Sequence, residues 1–344
     1  PLKSDFAGTV GTRLPLANAP IGTASCPELA AAVSNAGALG MMAVSFLSPS
    51  GVRAAIRRVR ELTDRPFAAN LLLEWDQHER LEVCLEEGVE LISLFWGDPA
   101  PYAERIRRGG ARFIQTVGSV EEAVHAVDAG ASAIIAQGWE AGGHVRGEIS
   151  TLALVPQVVD AVRPTPVAAA GGIANGRGVA AAMMLGASAA VLGTRFVCSK
   201  EAAVPPIYQE LVQKADSSQT VFGETFDKGW PDSNMRTLLN STLRRWIEAG
   251  RPAIGSRPGE TDIVARAGDG SDIRRYSVTQ PATGMKGDLE ALALYAGQSA
   301  GMVNDVRSAG EIVRDLWREA VTALRGAEPL MRKGSGHAAL RRNP

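Results

Sequence analysis

The segment Gln137-Gly138-Trp139-Glu140-Ala141-Gly142-Gly143-His144-Val145-Arg146-Gly147 concentrates the residue types best able to do chemistry. Histidine's ordinary pKa lies nearest neutrality, which makes His144 the candidate for taking a proton at physiological pH. Gly142 and Gly143 free the backbone to approach a ligand closely, and Gln137 sits at the end of an apolar run that reads as a buried strand. Glu140 either orients the histidine or helps bind substrate, or it caps its own loop as a solvated acid. Two further glycine turns, Gly171-Gly172 and Gly193-Thr194, stand 22 residues apart, one β-to-helix-to-β unit. Backbone N–H groups at such turns, with a helix N-terminus and the Thr194 hydroxyl, form a cradle suited to a phosphate. Either turn alone reads as a tight bend. Two in register on adjacent strands favour anion binding. His78, His125 and His337 lie in helical or tail contexts and earn no role.

These turns need strands that end together, and the chain supplies them. Between residues 15 and 200, apolar β-rich runs alternate with stretches of helical period, the pattern of a parallel sheet with crossover helices. The strands are expected at Leu16–Ile21, Leu39–Ser45, Pro66–Leu72, Leu91–Phe95, Arg112–Val117, Ala133–Gln137, Val167–Ala170 and Ala189–Leu192. Helix starts are legible at Pro27-Glu28, at Ser50, and at Ser119 with Glu122 as a capping box. Gly37, Gly88, Gly110, Gly130 and Gly186 stand where helix-ending glycines belong. Eight strands in about this length fit an α/β fold, a (β/α)8 TIM barrel, with an open doubly wound sheet as the alternative. Residues 205–285 break this texture with Pro, Gly and two amphipathic pieces, Ile207–Lys214 and Met235–Ala249. They read as a smaller, mainly helical C-terminal subdomain over the barrel mouth. The expected division is therefore 1–204 barrel, 205–285 insert or lid, and 286–344 closing helices (Glu290–Ala300, Ala309–Leu324) with a basic tail, Arg332-Lys333 and Arg341-Arg342.

Bulk composition narrows the class. The chain has 344 residues, 45% of them hydrophobic, and a formal net charge of −1. That balance offers no field to attract nucleic acid or an anionic membrane. Three widely spaced cysteines, without CxxC or zinc spacing and without a signal peptide, point to a reducing cytoplasm. No apolar run is long enough to span a membrane. No clustered His, Asp or Glu has metal-ligand spacing, so no metal is expected. There is no Gly-x-Ser-x-Gly elbow, no P-loop, and no Gly-x-Gly-x-x-Gly at a strand-to-helix turn.

"QGWEAGGHVRG" followed by "PVAAAGGIANGRGVAAAMMLGASAAVLGTRFVCSKEA" resembles the nitronate monooxygenase family, also called 2-nitropropane dioxygenases. The likeness extends to "APIGTASCPELAAAVSNAGALG", "FAANLLL" and "GDLEALALYAGQSAG", and so spans most of the chain. The resemblance implies FMN held in a TIM barrel. It implies Gly172 and Val191-Leu192-Gly193-Thr194 on the FMN phosphate, in line with the cradle that includes Gly171. Gln137 and Gly142, with Gly143 beside them, would lie by the ribityl chain and ring. Asn70 would contact the flavin, and Pro20-Ile21-Gly22 would back its ring. His144 matches the family's active-site histidine, while Tyr295 and Gln298 would reach the pocket rim. The implied activity is oxidation of alkyl nitronates by O2 to a carbonyl compound and nitrite without NAD(P)H, in a possible homodimer. A flavin-dependent enoyl-acyl-carrier-protein reductase and an NADH:quinone reductase share the scaffold and stay open. So does a non-redox barrel isomerase or synthase with a phosphate-bearing substrate.

Overall fold

The computed structural model describes residues 5–334; His337 and Arg341-Arg342 of the basic tail lie outside them. Eight strands form one parallel sheet: β1 Leu16–Asn18, β2 Gly40–Ala43, β3 Phe67–Leu72, β4 Leu91–Phe95, β5 Arg112–Val117, β6 Ala133–Gln137, β7 Val167–Ala170 and β8 Ala189–Leu192. Each pairs with its successor from β2 to β8, and β8 pairs with β1. A parallel bridge between Ala17 and Leu39 joins β1 to the start of β2 and closes the ring. The architecture is the (β/α)8 barrel expected from the alternation. Five strand spans coincide with expectation; β1, β2 and β3 are shorter, β2 and β3 starting one residue later than expected, and Ala19–Ile21 and Ser45 beyond the ends of β1 and β2 line the mouth.

Strand residues split by parity into two layers. Met42, Leu71, Ile92, Leu94, Ile134 and Leu192 face the surrounding helices. Ala17, Ala68, Ala133, Ala168, Ala170 and Ala189, with Met41, Ile114 and Val191, fill the interior. Small interior side chains suit the narrow lumen of eight strands. Phe6 and Val10, from the N-terminal helix Asp5–Val10, join this interior cluster. Against the outer layer lie α1 Pro27–Asn35, α2 Pro49–Leu62, α3 His78–Glu86, α4 Ala100–Arg108, α5 Val120–Asp128, α6 Thr151–Ala161 and α7 Gly176–Met184. The eighth helix, α8 Ala309–Gly334, comes from beyond the insert and packs on α7 and α1. Gly176 sits so close to it that a Cβ would lie 2.1 Å from the Glu319 Cβ. Before α5, Ser119 accepts from the Glu122 N–H at 3.2 Å, while the Glu122 carboxylate receives the Gly118 N–H at 2.8 Å. The expected capping box therefore closes one residue early.

The insert departs from the mainly helical expectation. Helices Pro206–Lys214 and Ser241–Glu248 are present. Two small antiparallel sheets accompany them, one from Asp272–Arg274, Ile263–Arg266 and Lys286–Gly287. The other joins Thr220–Gly223 and Met235–Leu238 to Gly143–His144 of the barrel. Met235–Ala249 is thus a strand followed by a helix, because the Asn240 side chain caps Leu243 at 3.1 Å and starts the helix there. Glu290–Ala300 is not a continuous helix either; Leu289–Ala291 and Gln298–Met302 are 3-10 turns. Leu292–Ala296 between them runs extended, and its Leu294 carbonyl accepts from the Leu238 N–H at 2.8 Å.

Candidate active site

The carboxyl ends of the strands open into one cavity of about 460 Å³. Pro20, Ile21, Gly22, Asn70, Gln137, Gly142, Gly143, His144, Gly171, Gly172, Val191, Gly193 and Thr194 all line it. Leu192 does not: its side chain belongs to the outer core layer, and its carbonyl accepts from the Ala19 N–H at 2.8 Å. Period-2 alternation explains this, since Val191 points inward and Leu192 must point out.

The two glycine turns bring free backbone amides to one wall of the cavity. Gly171 and Gly172 hold φ of +105° and +69°, conformations that glycine adopts without a Cβ penalty. Among the described residues, the N–H groups of Gly172, Gly193 and Thr194 donate to no protein acceptor. Thr194 Oγ1 accepts from the Gly297 N–H at 3.0 Å, which leaves its proton to donate into the cavity. Gly193 has an ordinary φ, and a Cβ there would meet nothing closer than 3.6 Å. Its lack of a side chain therefore serves the open space above it. Free amides around a concave turn are what a phosphate requires.

The His144 loop is held from three sides. Gln137, at the end of β6, donates to the His144 carbonyl at 3.0 Å and accepts from the Arg146 N–H at 3.2 Å. The insert strand pairs Met235 with His144 and Arg236 with Gly143. Gly142 packs against the extended C-terminal segment, where a Cβ would lie 2.2 Å from the Gly297 nitrogen. Gln137, read as a cofactor contact, thus also fixes the loop. Glu140 is outside the cavity lining; its carboxylate accepts from the Thr151 N–H at 2.9 Å and the Thr151 hydroxyl at 3.1 Å. It anchors the start of α6 and makes no contact with His144, so it neither orients the histidine, lines the cavity, nor caps its own loop as a solvated acid.

Around His144 the walls are aromatic. The Trp230 ring stacks on it at 3.9 Å, Tyr295 lies at 5.4 Å and Trp96 at 6.0 Å. Its Nε2 is buried and has no hydrogen-bond partner among the described residues. Burial pushes its pKa down to about 3, because no neighbouring charge compensates the lost hydration of the imidazolium. The side chain is therefore a neutral imidazole with a free nitrogen. No Asp, Glu, Lys or Arg lines the cavity. Tyr295 donates its hydroxyl to the Val278 carbonyl at 2.7 Å, and burial pushes that phenol up, so it is no base.

Three other walls complete the site. Asn70 donates to the Ser93 carbonyl at 3.1 Å. Gln280 of the insert donates to the Ile21 carbonyl at 3.1 Å and the Thr23 hydroxyl at 2.9 Å, tying the Pro20-Ile21-Gly22 turn in place. Tyr295 and Ser299 line the cavity, whereas Gln298 does not. Trp96 and Trp230 were not singled out from the sequence. Trp96 immediately follows β4, the position where barrels place functional side chains, so a signal existed. Trp230 lies in the insert with no local cue. Among the described residues no cluster of metal-ligating side chains occurs, and no helix is long and apolar enough to cross a membrane.

A closed parallel barrel with free amides and a histidine at one mouth fits a flavin-dependent oxidoreductase. The profile of the nitronate monooxygenase family matches residues 3–79 and 74–319, and the chain belongs to that family. It is 34% identical to a (3aS,4S,5R,7aS)-5-hydroxy-7a-methyl-1-oxo-octahydro-1H-indene-4-carboxyl-CoA dehydrogenase of Rhodococcus jostii, over 93% of this chain and 96% of that one. It is 31% identical to a nitronate monooxygenase of Pseudomonas aeruginosa, over 93% and 99% of the two chains. Among solved structures, FabK from Thermotoga maritima superposes with a TM-score of 0.81 at 32% identity, over 96% of this chain and all of that one.

Proposed function

We propose that the protein is an FMN-dependent nitronate monooxygenase, oxidising alkyl nitronates with O2 to a carbonyl compound and nitrite without NAD(P)H. One observation carries this reading: within a cavity lined by no Asp, Glu, Lys or Arg, His144 is the single lining side chain with a basic nitrogen, kept neutral by its burial. Gly172, Gly193 and Thr194 would hold the FMN phosphate, and Pro20–Gly22, Asn70 and Gln137 would border the ring system. When bound, the flavin supplies electron acceptance and the reaction with oxygen. The protein's own residues do the rest. A neutral nitroalkane enters the apolar chamber and presents its α-carbon to the His144 imidazole. The imidazole takes the α-proton, and the imidazolium so formed balances the charge left on the nitro group. Trp230 fixes the ring plane by stacking, and the hydrogen bond from Gln137 fixes the backbone from which the ring hangs. The closed aromatic wall keeps bulk water from competing for the carbanion.

The Rhodococcus relative favours a second reading. There the same histidine would take an acidic proton next to a thioester carbonyl, and the chain would oxidise an acyl-CoA. The deciding experiment mixes the purified yellow protein with nitroalkanes and their nitronates without pyridine nucleotide and follows oxygen uptake and nitrite. Stoichiometric nitrite supports the proposal. No oxygen uptake, together with rapid anaerobic bleaching by NADH, NADPH or an acyl-CoA, removes it.

A further inference from the structure

The cavity offers no lining cation to a negative charge on a substrate. Its lining holds one proton acceptor, His144, and no Lys or Arg. The Arg146 guanidinium is outside the lining, over the Trp96 ring at 5.2 Å from its centroid and paired with Glu122 at 2.6 Å, and Arg195, next to Thr194, is paired with Asp305 at 2.7 Å. The buried Arg236 is likewise outside the lining; it lies over the Trp139 ring at 4.2 Å. A cofactor phosphate in the cradle would add negative charge that no lining cation offsets. An aromatic collar runs from the lining residues Phe46 and Trp230 to Trp75 and Trp96, which stand outside the lining. Phe46 meets Trp75 at 5.3 Å, Trp75 meets Trp230 at 4.9 Å, and Trp230 meets Trp96 at 5.0 Å. Phe46 is 64% exposed although it is a large apolar side chain, and Leu47 beside it is 37% exposed. Exposed apolar surface at the rim of a pocket marks a place where a ligand packs.

We infer that the substrate is a neutral, ring-bearing molecule with a single acidic C–H and no second charged group near it, such as a nitrocycloalkane or an arylnitromethane. This rests on reading the cavity as the reaction chamber of the proposed oxidoreductase. The α-proton leaves carbon for the His144 imidazole, and imidazolium and carbanion then neutralise each other. A substrate that also carries a carboxylate beside the reacting carbon brings a charge with no partner into an apolar wall. An unpaired buried charge is among the costliest things a site can hold. Flat ring bodies instead gain contact along the collar.

The test is a pair of near-isosteric, unreactive probes, 1-indanone and indane-1-carboxylate, titrated calorimetrically into the purified protein at pH 7.5. The ketone is expected to bind at least about thirtyfold more tightly than the carboxylate, a conservative share of the penalty for an unpaired charge. A smaller gap, or no binding of the ketone, overturns the inference. Phe46→Arg, at an exposed rim position, brings a cation to the collar and is expected to narrow the gap about tenfold or more. A gap that stays as in the unsubstituted protein means that charge is not what the cavity rejects, and again overturns it. Nitrite release from nitrocyclohexane and from 3-nitropropionate addresses the other question. No nitrite from either, with the binding gap intact, sinks nitronate oxidation and leaves the substrate class standing.

Discussion

Lowering the pH from 8 to 5 should leave kcat/KM for a neutral nitroalkane unchanged, even though a histidine is the base. The groups packed on His144 are the rings of Trp96, Trp230 and Tyr295, with no carboxylate among them to stabilise the imidazolium. Burial therefore acts alone and lowers the pKa from 6.5 to about 3. That difference corresponds to about 5 kcal/mol against the charged form. At pH 5 an ordinary histidine is about 97% protonated and inactive as a base, whereas His144 is about 99% neutral. Because kcat/KM reports ionisations of the free enzyme, its acid limb should fall below about pH 4. The assay is initial nitrite release at low substrate, from pH 4 to 8.5 at constant ionic strength, with a nitroalkane that stays neutral throughout. An acid limb near 6.5, absent in His144→Asn, would show a hydrated histidine and refute the description of the site.

Replacing His144 with Asn should cost about 10²–10⁴ in turnover of the neutral nitroalkane while sparing more of the turnover of preformed nitronate, seen by comparing the two substrate forms. Trp230→Ala removes the ring stacked on His144 and lets water in; its acid limb should move up toward 6.5, and the protein should lose about 3–5 kcal/mol of stability in urea titrations. Arg236→Met breaks the bond from its guanidinium to the Trp139 carbonyl (3.0 Å) and the stacking on that ring. With the histidine loop loosened, kcat should fall more than KM changes, and Arg236→Lys should not restore it, since lysine lacks the planar fork.

Much of this was legible because the informative residues sit where strand meets loop. β4 to β8 were readable to the residue, since runs such as Ala133–Gln137 are apolar on both faces and end in glycine. The cradle followed from two glycine turns in register, and His144 from its place among glycines. The misreadings have a common cause in long-range pairing. Met235–Leu238 carries helical periodicity, yet it is a strand because Gly143–His144 offers it an edge. Leu292–Ala296 stays extended beside it for the same reason. Glu140 resembled a partner for His144 by proximity in sequence, but the backbone turns it toward Thr151. Trp230 acquires its role only when the insert folds back over the mouth, and no local pattern reports that. The charge-free lining is likewise a property of the assembled cavity and not of any segment.

The central claim is that the glycine turns after β7 and β8 grip the phosphate of a flavin. Gly193→Ala tests it most directly, because the position has an ordinary φ and a Cβ there clears the protein, so any loss reports the ligand space. FMN and riboflavin affinities of the flavin-stripped protein should be measured side by side. FMN binding should weaken at least about tenfold while riboflavin, which lacks the phosphate, binds nearly as before. Equal losses for both ligands, or undiminished FMN affinity, would contradict the account.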